Sequence, residues 1–214
     1  MNSEASLRED GRRHRADGER SRTAILTAAA ELATVEGLDG LSIGRLAEHV
    51  GMSKSGVFAH FRSKEELQYA TIDTAREIYD REVTQPALEA PEGVARVYAI
   101  CDLFLSHLER SVFPGGCFFI SAASELEAKP GPVRDHVKKV YSELVGDFAV
   151  AIRRAQDLGE LDPSADPDQV LFELDSLLLG ANIALLFFGD RSAPDRARAA
   201  VRDRIERWSQ QPAR

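Results

Sequence analysis

Apolar positions recur every three or four residues along most of the chain, the spacing that lines side chains up on one face of an α-helix. Ile25, Ala28, Ala29, Leu32 and Ala33 make the first such face, starting near Ser21, and Gly37 is placed to end it. Ser42 can cap a second helix with Ile43, Leu46, Ala47 and Val50 on its apolar side. Gly51 permits a tight turn, and Ser53 caps a third helix, Ser53 to Phe61, carrying Val57, Phe58 and Phe61. Ser63-Lys64-Glu65-Glu66 reads as a capping box, with Glu66 reaching back to the cap amide, and opens a fourth helix running to about Val83. The second and third helices are too short to stand alone and need the Ala/Leu face of the first.

Punctuation divides the remainder. Pro86 and Pro91 mark a break, and a fifth helix follows from about Glu92 to Arg110. Pro114-Gly115-Gly116 is a loop, Cys117 to about Lys129 is helical or irregular, and Pro130-Gly131-Pro132 breaks the chain again. Long helices are expected from Pro132 to about Leu158 and from Pro167 to about Phe188, and a last one from Pro194 to about Gln210. No period-two alternation persists, so no strand is expected. The pattern predicts an all-α fold of about nine helices. It has a disordered basic arm (1–20), a three-helix unit with a glycine turn (21–67) and a helical bundle (68–214).

The chain has 214 residues, 43% hydrophobic and 29% charged, enough to bury a core and unlike a disordered chain. Its formal net charge is -8. Residues 1–65 hold ten Lys/Arg and ten Asp/Glu, whereas residues 66–214 hold seventeen and twenty-five, so any footprint for nucleic acid must be local to the first third. Arg12, Arg13, His14 and Arg15 cluster in the arm, and can reach DNA or be only a solvated tail. The longest apolar run, Leu177–Phe188, is broken by Asn182 and falls short of a membrane span, and the N-terminus has no apolar leader. A cytoplasmic protein without a membrane partner is expected. Cys101 and Cys117 are read as small buried hydrophobes or as a redox-sensing pair. His14, His49, His60, His107 and His136 are scattered, and no metalloprotease, nucleophile-elbow or phosphate-loop pattern occurs. The sequence is therefore read as not an enzyme, with no metal and no cofactor.

The stretch from Leu41 through Gly51, Ser53-Lys54, His60-Phe61 and Ser63-Lys64-Glu65-Glu66-Leu67 resembles the DNA-binding domain of the tetracycline-repressor family, over about residues 21–68. The resemblance implies a helix-turn-helix that puts the third helix in the major groove of double-stranded DNA, with Ser42, His60 and Lys64 on phosphates. Ser42 and Lys64 stand at helix starts, where free amides and the dipole favour phosphate. Lys54 and Ser55, just after Ser53, are the candidates for base edges, and Gly56 lets the helix approach closely. Family members usually carry tyrosine where Phe58 stands. Phe58 cannot donate, so the Arg-rich arm, or Arg45 and Arg62, are candidates to compensate, and Ala59 can touch a thymine methyl. The alternative is a helical ligand-binding or adaptor protein with a weakened DNA-binding head.

The resemblance also implies an effector pocket among helices five to eight and a homodimer through the last two helices. Phe104, Phe118, Phe119, Phe148 and Phe172 are wall material, with Ser121, Asp175 and Asn182 as polar anchors. Leu171, Leu174, Leu178, Ala181 and Leu185, with Val201, Ile205 and Trp208, are the expected dimer stripe. The function implied is a transcriptional regulator, a repressor released from a palindromic operator by a small apolar ligand.

Overall fold

The computed structural model describes the backbone of residues 2–209 and the side chains of residues 18–209. Over that span the chain is all helix and loop, with no strand among the described residues. The helices are α1 (Asn2–Glu36), α2 (Ile43–His49), α3 (Lys54–Phe58), α4, α5 (Val94–Glu109), α6 (Phe118–Leu126), α7 (Pro132–Asp157), α8 (Pro167–Leu186) and α9 (Ala193–Ser209). The helix α4 runs Lys64–Tyr79, widens into a π-helical turn at Asp80–Thr84 and resumes at Gln85–Glu89. The expected all-α plan of about nine helices is the one observed.

Three boundaries differ from expectation. The backbone of α1 is helical back to Asn2, across the segment read as a structureless arm, while the side chains of Arg12, Arg13, His14 and Arg15 lie outside the described residues. The helix α3 stops at Phe58, so His60 and Phe61 follow it in the turn. And α4 does not break at Pro86. Proline lacks the amide an α-helix needs and crowds the preceding turn. Here the helix absorbs both by widening just upstream of it.

One hydrophobic cluster joins the two parts of the molecule. In the first part Ile25, Ala29, Leu46, Val57, Phe61 and Leu67 are fully buried, so α1 supplies the surface that α2 and α3 lack. Each large side chain so buried contributes about 1.5–3 kcal/mol. In the second part α8 and α9 pair with each other, and α9 also lies on α5. The Asp162 amide donates to the Trp208 carbonyl at 2.8 Å, and Arg198 of α9 reaches Asp102 and Glu109 of α5, each at 2.6 Å.

This packing corrects the expected dimer stripe. Leu174, Leu178, Ala181, Val201 and Ile205 are buried within the single chain, and Leu171, Leu185 and Trp208 are half-buried against the same core. Neighbouring helices already occupy that side of α8. Its outward side carries Phe172, Leu179, Ile183 and Leu186, and Phe187 follows. At 20 residues, α8 is also long and apolar enough by composition to cross a membrane, contrary to the expectation from the shorter run, although Glu173 and Asp175 lie within it.

Candidate functional site

The outward surface of α2, α3 and the start of α4 gathers most of the residues singled out for DNA. Ser42, Arg45, Ser53, Lys54, Ser55, Phe58, Ala59 and Lys64 are exposed, and Gly56 and His60 are half-buried. Ser caps set this geometry. Ser42 Oγ accepts from the Arg45 amide at 3.3 Å, Ser53 Oγ from Gly56 at 3.1 Å, and Ser63 Oγ from Glu66 at 3.0 Å. Each such cap is worth about 1 kcal/mol. Glu66 closes the box one residue earlier than expected, accepting from the Arg62 amide at 2.8 Å. Lys54 lies over Gly44, where a Cβ would stand 3.3 Å from its Cε, so the glycine makes room for the lysine between α2 and α3.

Two of the expected phosphate ligands are partly engaged inside the protein. Lys64 Nζ donates to the Asp39 carbonyl at 2.6 Å, and Arg45 pairs with Glu36. The Arg45 contact holds the Glu36 carboxyl below its usual range. Arg22, which the sequence reading passed over, steadies the end of the reading segment. Its guanidinium lies 4.6 Å from the Phe61 ring centroid and donates to the His60 carbonyl at 2.8 Å.

Behind this head, α6 reaches across to it. Both carboxylate oxygens of Glu125 accept backbone amides of the α1–α2 loop, from Leu38 at 2.6 Å and from Asp39 at 2.9 Å. Lys129 Nζ binds Asp39 at 3.0 Å, and Gln68 of α4 donates to the Leu38 carbonyl at 3.0 Å. Nearby, the Gly115 amide donates to Thr34 Oγ1 at 3.0 Å. A Cβ on Gly115 would sit 1.9 Å from the Thr34 carbonyl oxygen, so only glycine fits there. The charge pattern alone gave no sign of this bridge, because its acceptors and donors are far apart in the chain.

A cavity of about 470 Å³ opens between α4, α5, α6, α7 and α8. Of the residues expected to line it, Phe104, Phe119, Phe148 and Asp175 do. Phe118 is buried in the core, and Phe172 is 67% exposed on the far side of α8. Ser121 Oγ donates to the Gly115 carbonyl at 3.5 Å. Asn182 Oδ1 accepts from the Cys117 amide at 3.1 Å, so it ties the loop before α6 to α8 and is a structural anchor.

What the sequence reading missed is the share of α4. Arg76, Tyr79, Asp80, Val83, Thr84 and Leu88 line the cavity, and the π-helical turn forms part of its wall. A helix of mixed charged and apolar residues gave no signal of this. Cys117 also lines it. Burial pushes the Cys117 thiol up to about 11 and Cys101 higher still, which disfavours the thiolate needed for redox chemistry and fits the reading of both as buried hydrophobes.

Residues 93–201 match the family described as tetracyclin repressor-like, C-terminal domain, and residues 25–70 match bacterial regulatory proteins, tetR family. The nucleoid occlusion factor SlmA of Marinomonas sp. (strain MWYL1) is 25% identical over 134 residues, 63% of this chain and 66% of its own length. The HTH-type transcriptional repressor BepR of Brucella suis biovar 1 (strain 1330) is 24% identical over 155 residues, 70% of this chain and 73% of its own. A TetR transcriptional regulator from Chloroflexus aurantiacus J-10-FL has the same fold, with a TM-score of 0.81 over 92% of this chain and 98% of that one at 24% identity. The C-terminal match alone takes in just over half of the chain, and with the amino-terminal match and the geometry above it shows that the protein belongs to the tetR family and is a DNA-binding transcriptional regulator.

Proposed function

We propose that the protein works as a cytoplasmic homodimer, a repressor that leaves a palindromic operator when a small, largely apolar effector fills the cavity. One observation carries this reading: the helix that begins at the reading head, α4, is also a wall of the cavity. A molecule that prefers a different setting of α4 moves the head with it. By linkage, operator DNA then lowers the affinity for that molecule to the same degree. Lys54 and Ser55 read base edges in this scheme, and Ser42, His60 and Lys64 position the head on phosphates. The likeness to BepR, named as a transcriptional repressor, favours repression.

The outward stripe of α8 supports the dimer. Phe172, Ser176, Leu179, Ile183 and Leu186 alternate at four- and three-residue steps, the repeat of a two-helix seam. Gly180 beside it is exposed, with nothing within 4 Å of a Cβ, and leaves room for a second backbone. A two-fold dimer presents two reading segments to successive turns of DNA.

A weakened head is the second reading, favoured by the exposed Phe58 ring and by the internal engagement of Arg45 and Lys64. Titration of DNA from upstream of the protein's own gene, by fluorescence anisotropy, decides between them. The repressor reading expects sequence-specific binding that Lys54→Ala weakens by about 1–3 kcal/mol. Equal, weak binding of parent and variant to any duplex would establish the second reading instead.

A further inference from the structure

Of the carboxylates on the cavity wall, Asp80, Asp147 and Glu92 are paired with arginines, and one is unanswered among the described residues. Asp175 of α8 lines the cavity, and no hydrogen bond or ion pair engages it among the described residues. Its surroundings are Tyr79, Tyr141, Cys101 and Cys117, and removal from water raises its carboxyl above the usual range. The arginines that line the cavity have partners of their own. Arg76 pairs with Asp80 at 2.8 Å and Asp147 at 3.2 Å, and Arg154 with Glu92 at 2.7 Å, while Arg96 donates to the Leu88 and Ala90 carbonyls at 3.2 and 3.0 Å. Arg76 Nη1 has no hydrogen-bond partner and stands 3.8 Å from Glu143, and none of the three arginines pairs with Asp175 among the described residues. The inner chamber therefore carries an uncompensated acidic group against a wall of π faces. Phe119 stacks on Tyr141 at 5.9 Å, and Tyr79 meets Phe119 edge-on at 6.4 Å.

A half-buried carboxylate without a partner carries part of the cost of desolvation, and aromatic faces attract cations most where water is excluded. We propose that the effector is an organic monocation, with an ammonium head held by Asp175 and the rings of Tyr79, Phe119 and Tyr141, and an apolar body that fills the rest of the cavity. The proposal rests on the reading of the cavity as the effector site. A cation there restores charge balance. A neutral ligand instead leaves the Asp175 carboxyl without a partner of opposite charge.

The test compares phenyltrimethylammonium with tert-butylbenzene, its uncharged counterpart of the same shape, by calorimetry on the full-length protein at neutral pH. The expected result is binding of the cation at least about tenfold tighter than the hydrocarbon. Asp175→Asn should erase that preference and leave hydrocarbon affinity unchanged. Asp175→Glu should retain the preference, so the outcome does not hinge on one variant folding. Thermal unfolding of Asp175→Asn at neutral pH should show no loss of stability, since an unpaired, half-buried acid has been removed. Equal binding of the two probes, or a cation preference that survives Asp175→Asn, overturns the charge assignment and leaves the cavity as an effector site for neutral molecules. Failure of both probes to bind overturns the effector-site reading as well.

Discussion

His107 of α5 is buried with its ring 5.5 Å from Phe113 and 6.1 Å from Tyr79, and neither ring nitrogen has a partner among the described residues. Burial pushes its pKa down to about 4, with the nearby Arg110 adding to the fall and Glu82 opposing it. The unfolded chain takes up this proton near pH 6.5 and the folded chain only near 4, so the unfolded state binds more protons across that window. Stability from this residue is complete above pH 6.5 and declines as the pH falls, by at most about 3 kcal/mol. His107→Leu should therefore gain on the parent as acid is added. The difference in Tm between variant and parent should widen from pH 7 to pH 5, and a constant difference would contradict the burial argument. Single residues of this kind were only half legible in the sequence. A phenylalanine announces apolar wall material, so Phe104, Phe119 and Phe148 could be named in advance. Whether it faces a cavity, the core or solvent depends on neighbours from other helices, and that separated Phe118 and Phe172 from them.

Among the elements, α6 links the chamber to the reading head without being part of the covalent strut. Its first turn puts Phe119 and Ile120 in the cavity wall, and its last turn puts Glu125 under the Leu38 and Asp39 amides. The helix therefore connects the cavity wall to the loop that leads into α2. Glu125→Ala should keep effector binding by calorimetry close to the parent value while reducing the effect of saturating effector on operator affinity at least about fivefold. An unchanged effect would assign the coupling to α4 alone. The helices themselves were legible because apolar spacing agrees with a serine cap and a glycine stop at α2, with a serine cap at α4, and with a proline start and the Gly159 stop at α7. The continuation of α4 through Pro86 was not, since the proline rule describes an ordinary α-helix and the chain met it with a wider turn.

For the whole molecule, the facing of α8 decides how two copies meet in the proposed dimer. The helix is apolar nearly all round, so periodicity alone could not say which side its own core would claim, and the expected seam was rotated onto the buried face. The exposed seam predicts that Ile183→Asp, a change on the surface of one copy, leaves the fold intact and yields a monomer in analytical ultracentrifugation. Operator affinity should fall at least tenfold with it, because one reading segment then binds without its mate. A variant that remains dimeric would move the interface elsewhere. The wide turn in α4 has a mechanical consequence of its own. A helix with such a turn stores surplus chain. If a guest pressing on that wall lets Asp80–Thr84 relax to ordinary pitch, everything toward the reading head rotates about the helix axis and is drawn along it. Repression would then end by a slip of phase within one rod, with no hinge needing to open.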